Sequence, residues 1–224
     1  MVVVSIDGVD GTGKSTLIKL LSENLVDLDI VRVETSNRKD MMPEIRSFLN
    51  ENLKDHVVAR FVYFSLADLF ASNEAKEYAK SGKNVILDRF VYSTEAHHRA
   101  FDIYFSGMNL ATLDTLSRET EKSLIKVDMA IFLYADEKDR LKRVQRRNQV
   151  ENNGLDTESV VQGYAEEEFR TIAARLKREG SVLVCEIDTT DLDEHAVAKI
   201  AEAHIRDAVY RKAESVQKKS IVGA

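Results

Sequence analysis

The sequence is short of several residue types. One cysteine, one proline and no tryptophan occur in 224 residues, and glycine stops at nine. A lone Cys185 excludes an intrachain disulfide scaffold and suits a reducing compartment, so a cytoplasmic protein is expected. So little proline and glycine excludes collagen-like and Pro-rich chains. No apolar run approaches the ~20 residues of a membrane span. The start, Met1-Val2-Val3-Val4-Ser5-Ile6-Asp7, lacks the basic n-region of a signal peptide. Positive charge is not in excess: 32 Lys and Arg against 38 Asp and Glu give −6. That balance argues against a broad surface for nucleic-acid polymers or anionic membranes. An α/β or α protein remains, long enough to bury roughly 70% of its unfolded surface in one domain.

Short apolar runs alternate with long helical patterns, the signature of strand–helix–strand units around a parallel sheet. Strands are expected at Val2–Asp7, Ile30–Glu34, Asn84–Asp88, Met129–Tyr134 and Val182–Asp188. They are nearly unbroken Val, Ile, Leu and Phe, as in strands covered on both faces. Helices are expected at Lys14–Asn24, Met42–Leu53, Val57–Lys80, Leu110–Leu124, Glu137–Asn148, Ser159–Arg178 and Glu194–Arg211, with Asp193 capping the last. There is no repeat, low-complexity stretch or linker. One domain over 1–212 is expected, with a charged, frayed tail over 213–224.

Three of the nine glycines, Gly8, Gly11 and Gly13, fall within six residues. Residues 8–15 read Gly-Val-Asp-Gly-Thr-Gly-Lys-Ser, a full match to G-x-x-x-x-G-K-[ST] between an apolar strand and an amphipathic helix. In such a loop consecutive backbone N–H groups turn inward on phosphate oxygens at a helix N-terminus. Lys14 would reach the β- and γ-phosphates of a nucleoside triphosphate and the Ser15 hydroxyl would ligate Mg²⁺. A chance match in a chain this long is on the order of one per cent. The chain holds no Asn-Lys-x-Asp, and no D-x-x-G follows Asp88-Arg89, which excludes a switch GTPase. A small phosphotransferase fits the length.

The sequence resembles the thymidylate kinase family. The resemblance rests on Ile6-Asp7-Gly8-Val9-Asp10-Gly11-Thr12-Gly13-Lys14-Ser15-Thr16, on Val85-Ile86-Leu87-Asp88-Arg89-Phe90-Val91-Tyr92-Ser93-Thr94 and on Leu141-Lys142-Arg143, in order over about the first 190 residues. It implies a P-loop NTPase fold, α/β with a five-stranded parallel sheet flanked by helices and an Arg-rich lid at about 138–156. The implied reaction moves the γ-phosphoryl of ATP–Mg²⁺ to a (deoxy)nucleoside monophosphate. ATP then sits on Gly8, Gly11, Thr12, Gly13, Lys14, Ser15 and Thr16. Asp10 holds the acceptor's 3′-hydroxyl, Arg89 grips its phosphate, and Asp88 with Ser15 organises Mg²⁺. The partners are small nucleotides, neither polymer nor membrane, and relatives are commonly homodimers.

The segment 138–147 carries +5, leaving −11 over the rest of the chain. Arg143 and Arg147 are the lid residues expected to close over the phosphates and neutralise the transition state. Some family members carry an Arg in the loop where this chain has Gly11, so here only the lid can supply one. Asn148 to Gly154 is the expected mobile tip.

The acceptor pocket departs from the family pattern. Phe64 matches an aromatic that stacks on the base, but Asp68 stands where the family has an Arg for the thymine carbonyl. A carboxylate there would repel a carbonyl and favour a base with an exocyclic amine, such as cytosine or adenine. Val33-Glu34-Thr35 replaces Arg-Glu-Pro, and Thr94 and His97 occupy the positions of a base-reading residue and a ribose-excluding Tyr. Two other readings remain open: a deoxynucleoside kinase using Glu34 as base, and a non-catalytic nucleotide-binding module.

Overall fold

The computed structural model describes residues 1–35, 43–53, 56–105, 110–151 and 159–222. The elements run β1 (Val3–Gly8), α1 (Lys14–Asn24), β2 (Ile30–Glu34), α2 (Pro43–Asn52), α3 (Val57–Lys80), β3 (Asn84–Asp88), α4 (Val91–Phe105), α5 (Leu110–Ser123), β4 (Met129–Tyr134), α6 (Glu137–Glu151), α7 (Ser159–Glu179), β5 (Leu183–Asp188) and α8 (Glu194–Val222). The five strands are all parallel, in the order β2-β3-β1-β4-β5.

The strand side chains alternate between two cores, which is why the strands read as continuous apolar runs. Val3, Val85, Leu87, Ala130 and Phe132 face a layer from α3, α4 and α7, including Ala71, Ala75, Tyr92, Ala96, Phe169 and Ala173. Val4, Ile6, Ile86, Ile131, Leu133 and Ile187 face α1 and α8 through Leu17, Leu21, Ala198, Ala201 and Ile205. Cys185 is a buried small hydrophobe in the second core, its thiol pushed up to about 11 by burial. The register aligns Gly8 with Leu133, Glu34 with Asp88, and Tyr134 with Asp188. The loops that leave these strands therefore open on one edge, where open α/β sheets bind ligands.

Three sequence expectations change. The last helix is capped as expected, the Asp193 carboxylate accepting from Ala196 N at 2.8 Å, but it runs on to Val222 instead of ending at Arg211. The α6 helix runs to Glu151, so residues 148–151, expected in a mobile tip, are helical; residues 152–154 lie outside the described residues. The third change is α4, which periodicity did not signal. Its buried positions include Ser93, Thr94, Glu95, His98 and Asp102 beside Val91, Tyr92 and Ala96. Polar groups facing inward erase the apolar stripe that marks an amphipathic helix.

These inward polar groups are what hold α4. Asp7 at the end of β1 accepts Phe90 N at 3.1 Å and Ser93 Oγ at 2.6 Å, bracing the helix N-terminus. Arg175 of α7 pairs with Glu95 at 2.7 Å, and Arg99 pairs with both Glu168 and Asp114. Replacing Asp7 leaves two buried donors without their acceptor, at a cost of about 2 kcal/mol. For a chain of this size, Asp7→Ala is expected to lower the thermal midpoint by roughly 4–8 °C, measured by circular dichroism, with Asp7→Asn losing less because it retains an acceptor oxygen.

Candidate functional site

The loop between β1 and α1 closes on itself. Val9 O accepts Lys14 Nζ at 2.7 Å and Thr12 Oγ1 at 2.9 Å. Two glycines are needed where the loop passes other backbone. A Cβ at Gly8 (φ 145°) would stand 2.5 Å from Leu133 O, and one at Gly11 (φ 84°) 2.6 Å from Arg140 O. Gly13 precedes the first turn of α1, where Ser15 and Thr16 are exposed. Lys14 is buried, and that burial, helped by Arg89, lowers its ammonium to about 7, against the attraction of Asp10, Asp88 and Asp7. The site gathers a buried ammonium and a guanidinium close to three carboxylates.

Arg89 has a left-handed backbone (φ 62°), held by Arg89 N donating to Ile6 O at 3.1 Å and Thr35 Oγ1 donating to Arg89 O at 2.7 Å. This turn carries its guanidinium back over the loop, where it donates to Gly8 O at 3.2 Å and pairs with the Asp10 carboxylate. Its Nη1 also lies 3.3 Å from His97 Nε2. Burial first and Arg89 second depress His97 to about 3, so this imidazole is neutral. Asp88 is held by Arg32 at 2.5 Å, and the same guanidinium lies 3.9 Å from Glu34. Arg32 and Thr35 escaped the sequence reading; alternation along β2 puts Arg32 on the same face as Glu34 and was the signal available.

Between α3 and α4, Phe64 lies 5.7 Å from the His98 ring, and His98 Nδ1 lies 2.6 Å from Thr94 O. Asp68 is fully buried, and neither of its oxygens has a hydrogen-bond partner among the described residues. Burial holds its carboxyl well above the usual carboxylate range, a pull from the Thr94 hydroxyl notwithstanding. The sequence-based argument took Asp68 as a carboxylate that repels a carbonyl. Burial without a partner favours its protonated form, which has one O–H donor and one acceptor.

On the opposite side, Arg143 of α6 donates to Thr189 Oγ1 at 2.9 Å, Thr189 O at 2.8 Å and Gly11 O at 3.4 Å. Thr189 in turn contacts Thr12 O and Tyr134 O. The Arg143 guanidinium is therefore seated on protein carbonyls and the Thr189 hydroxyl at the wall of the loop. The Arg147 side chain lies outside the described residues. The structure thus brings together Asp10, Gly11, Thr12, Lys14, Asp88, Arg89, His97 and Arg143. Phe64, Asp68 and Thr94 form a neighbouring group along α3 and α4, and Glu34 sits at the edge near Arg32.

A family model for thymidylate kinase matches residues 6–200. The chain belongs to the thymidylate kinase family. A thymidylate kinase of Leptospira interrogans is 31% identical over 156 residues, covering 65% of this chain and 70% of that protein. A probable thymidylate kinase of Thermoplasma acidophilum is 26% identical over 144 residues, covering 64% and 70%. In fold the chain is similar to the thymidylate kinase of Candida albicans, with a TM-score of 0.72 at 21% identity over 92% of this chain and 91% of that one. Membership of the thymidylate kinase family makes the protein an ATP-dependent nucleoside monophosphate kinase that uses ATP with Mg²⁺. The deoxynucleoside kinase alternative is not favoured.

The lowered pKa of Lys14 gives its proposed contact with phosphates a measurable consequence. Bound phosphates favour the ammonium and raise its pKa, so at pH 8 the enzyme takes up a proton as the nucleotide binds. Calorimetry with a non-hydrolysable ATP analogue and Mg²⁺ in two buffers of different protonation enthalpy is expected to show uptake approaching one proton at pH 8 and little at pH 6. Identical heats in both buffers at pH 8 would contradict it.

Proposed function

We propose that this kinase transfers the γ-phosphoryl of ATP to dTMP. The family match over residues 6–200 carries the reading, and the burial of Asp68, which favours its protonated form, weakens the objection to it. Thymine presents an N–H donor beside a carbonyl acceptor, and a neutral carboxylic acid presents an acceptor beside a donor. Phe64, one turn away on α3, supplies a ring for stacking, and Thr94 and His97 line the α4 side. Asp10 and Arg89 face the acceptor as a pair, Arg89 offering a planar donor suited to a phosphate. Glu34 stands beyond them at the end of β2.

Gly8, Gly11, Thr12, Gly13, Lys14, Ser15 and Thr16 hold the triphosphate in this reading. Ser15 and Asp88 would hold the Mg²⁺, with Arg32 able to release the carboxylate. No group of three or more His, Cys, Asp or Glu side chains suited to a metal exists among the described residues. That fits a cation bound mainly by phosphates and water, with one or two protein oxygens. When bound, Mg²⁺ neutralises charge on the β- and γ-oxygens. The acceptor phosphate is already anionic, so the residues need only align it and stabilise charge. Arg143 borders the nucleotide, and Arg147, one turn further along α6, is the lid cation for the moving phosphoryl.

An acceptor panel with ATP and Mg²⁺ tests this. dTMP is expected to outperform dCMP and dAMP, with thymidine inert; a preference for dCMP or dAMP rejects it. Asp68→Asn keeps a donor beside an acceptor and is expected to retain dTMP use, whereas Asp68→Leu raises the dTMP KM roughly tenfold.

We also read the protein as a homodimer. Val58, Val62, Leu66 and Leu69 form an exposed stripe along α3, with Val62 60% exposed and Phe70 beside it at 46%. A second copy of the same helix is the self-complementary cover for such a stripe. Val62→Lys with Leu66→Lys is expected to convert the dimer to monomer in sedimentation equilibrium, and a wild-type monomer at high micromolar concentration would refute the assignment. No helix among the described residues is long and apolar enough to cross a membrane. Together with one buried cysteine that needs no oxidising compartment, this supports a cytoplasmic setting.

A further inference from the structure

Among the described basic side chains of the 138–147 run, Arg140 stands apart, because it alone is buried, at 3% exposure. It does not face solvent, nor does it lie over the front of the loop. Its Nη1 donates to Asp10 O at 3.2 Å, and its Nε is 3.9 Å from Glu166 on α7 with no hydrogen-bond partner among the described residues. The backbone of the same residue packs against Gly11 so closely that no Cβ fits there. The preceding peptide is held too: Asp10 N donates to Gln162 Oε1 of α7 at 3.3 Å.

These contacts orient two successive peptide groups. In the Val9–Asp10 peptide the N–H points out to α7 and the carbonyl points in, to Lys14 and Thr12. In the Asp10–Gly11 peptide the carbonyl points out to Arg140. Both of these peptide bonds are trans, so in each the carbonyl and N–H point in opposite directions. Gly11 N–H is therefore directed away from α6. A permanently charged guanidinium on the carbonyl also polarises the peptide, which strengthens its N–H as a donor.

We propose that Arg140 is a positioning residue for phosphoryl transfer: by holding the Asp10 carbonyl from behind the loop, it aims the Gly11 N–H at the bound triphosphate. It does so without touching a phosphate. The charge run thus divides its labour, with Arg140 setting the loop's backbone from behind and Arg143, further along α6, seated on Gly11 O and Thr189. The inference rests on the kinase assignment but not on the identity of the acceptor base.

The test compares Arg140→Lys, Arg140→Gln and Arg140→Met for kcat/KM toward ATP, acceptor KM, thermal midpoint without ligand, and Kd for a non-hydrolysable ATP analogue. Losing a donor aimed at developing charge typically costs 10²–10³-fold, and one step removed the loss is expected to be roughly tenfold. Arg140→Met should therefore lose roughly tenfold in kcat/KM for ATP and weaken the analogue, with acceptor KM within about twofold of wild type. Arg140→Lys, which restores a charged donor, should recover at least a third of wild-type kcat/KM, with Arg140→Gln between the two. If Arg140→Met does not fold, the order of Lys above Gln still decides. Unchanged ATP kinetics in Arg140→Met, or losses that follow the thermal midpoint with no advantage for Lys, overturn the proposal. Because analogue binding is read without an acceptor, failure on dTMP would leave this outcome legible.

Discussion

The structure is organised around a hollow that concentrates buried charge before any anion enters it. Lys14 and Arg89 converge on one short loop, countered by Asp7, Asp10 and Asp88. Desolvation has discharged the lysine part-way, and Arg89 is held against Asp10 and the Gly8 carbonyl. Charges placed in a low-dielectric hollow attract phosphate strongly because there is little water to screen them. The surrounding elements serve to keep these groups in place: β1 and β3 deliver them, α4 braces them through Asp7, and α6 and α7 hold the loop from behind.

The sheet order explains how so few residues suffice. With β1 central, its C-terminal loop is flanked by the ends of β3 and β4, so Asp88 and Arg89 arrive on one side and the α6 root on the other. In the proposed reading, the acceptor side and the ATP side of the transfer are set by two neighbours of a single strand. Alignment, which carries most of this chemistry, becomes a property of strand register.

The phosphate loop was legible in sequence because its chemistry is local: glycines, a lysine and a hydroxyl at fixed spacing between a strand and a helix. The strands were legible because both faces are covered, and their ends fell within a residue or so of expectation. The α4 helix was not, although Asp88-Arg89 leads directly into it. Ser93 meets Asp7 of β1, Glu95 meets Arg175 of α7, and His98 packs on Phe61 and Phe64 of α3, and apolar periodicity cannot report a helix buried on polar groups. The arginine run was visible as charge only; which member lies behind the loop depends on how α6 meets Gly11.

By itself, then, the sequence determined that a G-x-x-x-x-G-K-[ST] loop joins a strand to a helix and that a parallel α/β sheet carries it, since each follows from neighbours in the chain. Tertiary structure alone decided the strand order, the partner of Asp88, the seat of Arg140 and the burial of Asp68. The reason is desolvation. Asp68 reads as a carboxylate in the sequence, but the fold buries it fully between α3 and α4 and pushes its carboxyl toward the protonated form.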